Sequence, residues 1–216
     1  MKILVGIPTI RYFHFFMESV EKFRRESKHD LTLWWEKDKF LADAQNKIAD
    51  EFLSKDYDYL LFLDDDHWGH TPEMLECLIN ANAYVATMKT YSRHYPYGCA
   101  LIKKVGEGVV MPIEDGEGYR EVDLTGFPMT LIRRDLFSKL DKPYFRATEA
   151  CGRDWNTDID FFERLEKLGI KPIGCFQHCL NHDKITQENV HEYRFKERKD
   201  NNNLAWFNLI RQEARG

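Results

Sequence analysis

Hydrophobic residues follow two alternating patterns through the first part of the chain. Four compact apolar runs, Ile3–Ile7, Leu31–Trp35, Tyr59–Leu63 and Ala83–Thr87, are short and nearly continuous. They read as buried strands of a parallel sheet. The segments between them repeat at helical spacing instead. Phe13, Phe16, Val20 and Phe23 predict a helix over 12–25, and Leu41, Ala44, Ile48 and Phe52 predict a second over 41–54. Thr71-Pro72-Glu73 opens a third, with Thr71 as N-cap, Pro72 in the first turn and Glu73 favourable to the helix dipole. Strand and helix in alternation predict an open α/β sheet with helices on both faces.

The pattern changes near residue 97. Short alternating segments punctuated by Gly106, Gly108, Gly116 and Gly118 predict hairpins. A helix is expected over 158–168, stopped by Gly169, then a strand over 171–176 and a helical tail from about residue 187. The tail places Leu204, Phe207 and Ile210 at helical spacing beside Trp206. Such a stripe packs on the parent core or pairs two copies of the chain. Without repeats or linkers, residues 1–216 read as one domain in unequal parts, 1–96, 97–186 and a tail over 187–216.

Composition narrows the class. With 43% hydrophobic and 31% charged residues, the chain is expected to fold as a soluble globular protein. A net charge of -5 argues against a general nucleic-acid coat. The five cysteines have no framework spacing, which favours thiols and a reducing, cytoplasmic setting. No apolar run approaches the roughly 20 residues of a membrane span, so no transmembrane segment is expected.

The most informative segment is Tyr57–His67, where a strongly apolar strand ends in Asp64, Asp65 and Asp66. Ligands of open α/β sheets bind outside the carboxyl ends of strands. Three adjacent carboxylates there repel one another and invite a hard cation, Mn²⁺ or Mg²⁺; a solvated acidic turn is the plainer reading.

In order and spacing, these segments resemble family 2 glycosyltransferases. The resemblance covers nearly all of the chain. Gly6-Ile-Pro-Thr9 resembles the turn that receives the nucleotide. Ala44-Gln45-Asn46 stands where many members carry Ala-Arg-Asn, and Asp64 and Asp66 match Asp-any-Asp. Val122–Gly126 and Leu131–Arg134 resemble the central acceptor-side segment. Thr157-Asp158-Ile-Asp160-Phe161 resembles the Glu-Asp element, with Thr157 in place of Glu, and His182 resembles the terminal histidine.

This implies a GT-A type nucleotide-sugar transferase fold: a mostly parallel sheet flanked by helices, with a smaller mixed acceptor-side half. It also implies a metal-dependent, inverting transfer of a sugar from a nucleotide diphosphate, UDP favoured, to a hydroxyl. By resemblance, Asp66 and His182 hold the metal and Asp64 touches the donor ribose. Pro8, Thr9, Arg11, Asn46 and Asp65 are expected to complete the donor site, with Arg93, whose guanidinium matches oxyanions bidentately, as the phosphate candidate. Asp158 is the base, which such chemistry needs to take the acceptor proton, with Asp160 as runner-up.

Other readings follow from particular residues. Cys175, His178, Cys179 and His182 are zinc-ligand types, tightly spaced. Residues 81–106 lack acidic residues and interleave Lys89, Arg93, His94, Lys103 and Lys104 with Tyr84, Tyr91, Tyr95 and Tyr97. That stretch suits an acceptor: a glycan, a small molecule or a hydroxylated nucleic-acid base. Nucleotidyl transfer would call for a glycine-rich basic loop after the first strand, which Gly6–Arg11 matches poorly. A non-catalytic sugar-nucleotide binder fits the substitutions at Gln45 and Thr157.

Overall fold

Ile3, Leu4, Val5 and Ile7 are wholly buried because strand β1 (Lys2–Pro8) is covered on both faces. Ile3, Val5 and Ile7 meet Phe16, Val20 and Phe23 of helix α1 (His14–Glu26). Leu4 faces the other way, into a cluster with Ile48 and Phe52 of helix α2 (Leu41–Ser54). Strand β3 (Tyr59–Leu63) divides likewise, Leu61 and Leu63 to the first cluster and Leu60 and Phe62 to the second. Two covered faces account for the unbroken apolar runs. Gly6 lets α2 approach closely: a Cβ there would lie 2.3 Å from Cγ2 of Ile48.

The computed structural model describes residues 1–9, 13–37, 40–92, 98–106, 109–113, 116–147, 157–183 and 185–186. Arg11, Arg93, His94, Tyr95, Tyr97, Cys151 and the expected tail from residue 187 lie outside them.

The remaining elements are β2 (Asp30–Glu36), β4 (His67–Trp68), α3 (Pro72–Asn80), β5 (Val85–Thr90), β6 (Ile102–Gly106) and β7 (Val109–Pro112). They continue with β8 (Tyr119–Glu121), β9 (Met129–Arg133), α4 (Thr157–Lys167) and β10 (Ile173–His182). The main sheet has the order β2-β1-β3-β9-β5-β10-β4, with β8 also on β10. Strands β1, β2, β3, β5 and β10 run one way, since β9 is antiparallel to both β3 and β5. This is a mostly parallel α/β sheet in which β9 separates strands that strict alternation would have made neighbours. Strands β6 and β7 form the expected hairpin.

Helix boundaries follow local chemistry. Thr71 Oγ1 accepts from Met74 N–H at 3.4 Å, capping α3. Helix α2 has no basic residue in its last turn. Arg134, just past β9, supplies the charge by donating to the carbonyls of Phe52, Leu53, Lys55 and Tyr57 at 2.7–3.2 Å. Leu131–Arg134, read by resemblance as an acceptor-side segment, is here strand and helix cap. The expected strand 171–176 continues to His182, with a register shift between Cys175 and Cys179. That extension carries His182 to the carboxyl edge of the sheet.

Candidate functional site

After the buried residues of β3, the chain leaves the sheet at Asp64 and turns sharply. The His67 N–H donates to the Asp64 carbonyl at 3.2 Å. The chain re-enters at once as β4, which pairs with the end of β10 so that His67 lies opposite His182. This brings residues 116 apart in sequence together: His182 Nε2 lies 3.2 Å from Asp66 Oδ2. Two further bonds lock the turn. Asp183 N–H donates to the Asp66 carbonyl at 2.8 Å, and Trp68 Nε1–H donates to the Asp183 carbonyl at 2.9 Å.

His182 Nδ1 lies 2.8 Å from the carbonyl oxygen of Tyr91. A carbonyl only accepts, so Nδ1 carries a proton; Nε2 then either donates a second proton to Asp66 or, without one, turns a lone pair toward it. Two facing acceptors need a proton or a cation between them. Ligand bonds of roughly 2.1 Å around an octahedral ion place neighbouring donor atoms about 3 Å apart, close to the spacing found. The donor set therefore fits a divalent metal. Among the described residues, Asp66, His67 and His182 form the metal-capable group, their ligand atoms within 4.8 Å of one another.

The electrostatics agree. Burial opposes ionisation of Asp66, but the His182 and His67 imidazoles, by hydrogen bonding and by charge, outweigh it and hold the carboxyl far below its usual range. Asp64 is driven well above its usual value by burial, then by Asp66, Asp158 and Asp65; the Phe127 N–H partly offsets this. Excess negative charge at a strand end is what an added cation would relieve.

Asp158 lies in the first turn of α4, its Oδ1 accepting from Ile159 N–H at 3.0 Å. Burial raises its pKa, with backbone amides of Ile159 and Asp158 opposing. Gly126 sits beside it: a Cβ there would be 3.9 Å from Asp158 Oδ2. The Phe127 amide favours the ionised form of Asp64 while Gly126 lies against Asp158, so the 126–127 strap sits between the two carboxyls. Asp160 faces Arg164 at 2.8 Å, and that guanidinium also donates to the carbonyls of Asp141 and Tyr144. The runner-up carboxylate is thus committed to an ion pair.

Other expected site residues are placed as follows. Thr9 Oγ1 donates to Asp65 Oδ2 at 2.7 Å, linking the ends of β1 and β3, and Thr9 N–H donates to the Glu36 carbonyl at 3.0 Å. Pro8 ends β1 opposite Glu36. Asn46 turns inward: Nδ2 donates to the carbonyls of Phe145 (2.7 Å) and Ala42 (2.8 Å), and Oδ1 accepts from Phe145 N–H (3.1 Å). Gln45 is wholly buried, with neither amide atom partnered among the described residues. Tyr91 is buried under the Lys89 ammonium, 5.1 Å from its ring, and Tyr84 stacks on Arg133.

The zinc-type residues do not converge. Cys175 is buried with its thiol against the Cys77 carbonyl, Cys179 donates to the Leu180 carbonyl, and burial pushes the Cys179 thiol up to about 12. His182 joins Asp66 instead.

Sequence reasoning missed His67, whose Nδ1 lies 2.9 Å from Asp66 Oδ1 and whose ring stacks on His182 at 4.1 Å. Its place directly after the aspartates was the available signal. Thr125 and Thr157 carry buried hydroxyls without partners among the described residues.

The sheet order, the acidic strand end and the returning histidine together define a GT-A type nucleotide-sugar transferase fold. Comparison with solved structures agrees. A197 from STIV superposes with a TM-score of 0.57 at 21% identity, covering 83% of each chain. GalNAc-T7, with UDP, GalNAc and Mn²⁺, gives 0.57 at 9% identity over 99% of this chain and 54% of that one. Glucosyl-3-phosphoglycerate synthase from Mycobacterium tuberculosis, in complex with Mn²⁺, UDP and phosphoglyceric acid, gives 0.55 at 10% identity over 88% of this chain and 73% of that one. At these identities the likeness is one of fold. Neither a family model nor a curated protein matches the sequence. No helix among the described residues is long and apolar enough to cross a membrane.

Proposed function

We propose that the chain is an inverting glycosyltransferase that moves a sugar from a nucleotide diphosphate, a UDP-sugar by preference, to a hydroxyl acceptor. The observation that carries this reading is the meeting of Asp66 Oδ2 and His182 Nε2 at 3.2 Å beside the acidic end of β3. Asp66 and His182 would hold the ion, which, when bound, would neutralise charge developing on the departing diphosphate. One imidazole in the set favours Mn²⁺ over Mg²⁺.

Residues 1–96 act as the donor half. Asp64 addresses the ribose, and the Pro8-Thr9 turn, held by Asp65, receives the nucleoside. Asn46 serves the site indirectly, fixing Phe145 against α2. Residues 97–186 supply Asp158, whose carboxylate takes the acceptor proton as the new bond forms. A raised pKa brings it closer to the working pH, which makes it a better base.

The test is UDP release from UDP-sugars, with and without acceptor panels, in wild type and Asp158→Asn. The proposal predicts acceptor-stimulated release that falls about 10²–10⁴-fold in the variant, with donor affinity kept. Equal turnover by the variant would contradict the base. Donor binding without turnover on any acceptor would leave a sugar-nucleotide binder.

A further inference from the structure

We propose that His67 is a positioning residue for the metal centre: its Nδ1–H holds Oδ1 of Asp66, so that Oδ2 alone is presented beside His182. This rests on the metal site proposed above and adds a residue to it. Three observations carry it.

His67 Nδ1 lies 2.9 Å from Asp66 Oδ1, while the opposite oxygen faces His182 Nε2. The two carboxylate oxygens are therefore divided between two imidazoles. A monodentate carboxylate with its other oxygen hydrogen-bonded is a common way to fix a metal ligand.

Exposure separates the roles. The Asp66 side chain keeps 19% of its surface, whereas His67 keeps 5% and both its ring nitrogens are sealed from solvent. An ion that must also meet an incoming diphosphate approaches from the open side, where Asp66 and His182 lie.

The ring of His67 is itself fixed. It sits in β4 opposite His182, and the two rings stack at 4.1 Å with 23° between their planes. Rotation of His67 away from Asp66 would break that stack. The device thus uses strand pairing to set a carboxylate rotamer.

The experiment measures Mn²⁺ affinity from the free-ion electron paramagnetic resonance signal, and the visible spectrum of the Co²⁺ form. Both are taken on wild type, His67→Phe, His67→Gln and His182→Gln. The expected result is a loss of about 10–100-fold in Mn²⁺ affinity for His67→Phe, which stacks but cannot donate. His67→Gln, which can donate, should recover most of it. The Co²⁺ spectrum should match wild type in both and change in His182→Gln. If His67→Phe does not fold, His67→Met replaces it in the same comparison. Unmoved Mn²⁺ affinity in the non-donating variant would overturn the proposal. So would a Co²⁺ spectrum in His67→Gln altered like that of His182→Gln, which would make His67 a ligand. Absence of Mn²⁺ binding by wild type would instead remove the metal site, and with it the proposed function.

Discussion

Asp158 illustrates a conflict between stability and chemistry at the level of one residue. Its carboxyl is half-buried in the first turn of α4, and that desolvation raises its pKa above the unfolded value of about 3.9. The folded state therefore binds the proton more tightly than the unfolded chain. Above the folded pKa the ionised group costs stability; below the unfolded pKa that cost is gone. Asp158→Asn is expected to raise Tm by about 2–4 °C at pH 7, as relief of a strained functional site often does. The gain should shrink as pH falls through the raised pKa toward about 4. Melting curves across that range check both the sign and the window. A Tm difference independent of pH would place the effect elsewhere.

Among elements, the sheet edge depends on how helices are ended. Arg134 donates to four carbonyls at and beyond the C-terminus of α2 and lies over the Phe52 ring at 5.2 Å. Arg134→Met should keep the packing but leave those acceptors unpaired, costing about 1–3 kcal/mol in urea unfolding. Unchanged stability would mean that water replaces the guanidinium freely.

Legibility differed between elements for physical reasons. The boundaries of α2 and β3 could be read from the sequence because their periodicities are strong and each buries a defined face. The place of β9 could not: Met129–Arg133 is apolar, but a buried run carries no mark of its direction or neighbours. Nor could the inward turn of Asn46, whose partner is the backbone of Phe145, 99 residues away. His182 was readable only through resemblance, since nothing local shows that β10 runs on past its irregularity to meet β4. The acidic end of β3 was readable directly, because an apolar strand that stops in three aspartates must place them at an edge.

At the scale of the molecule, five strands point their carboxyl ends to one edge, and that edge gathers Thr9, Asp64, Asp65, Asp66 and His182. The antiparallel β9 begins there too, so the strap of Gly126 and Phe127 reaches both Asp64 and Asp158. Burial, and then the crowding of carboxylates, raises Asp64, while two imidazoles hold Asp66 ionised. These opposite shifts are what the proposed site for a cation and an anionic ligand would require.

The central claim is that this edge binds a nucleoside diphosphate through a divalent ion. Its most direct test is calorimetric titration of UDP into the wild-type protein and Asp66→Ala, each with and without Mn²⁺. The account predicts binding that needs Mn²⁺ in the wild type and is lost in Asp66→Ala. UDP binding indifferent to both Mn²⁺ and Asp66, or no binding at all, would contradict it.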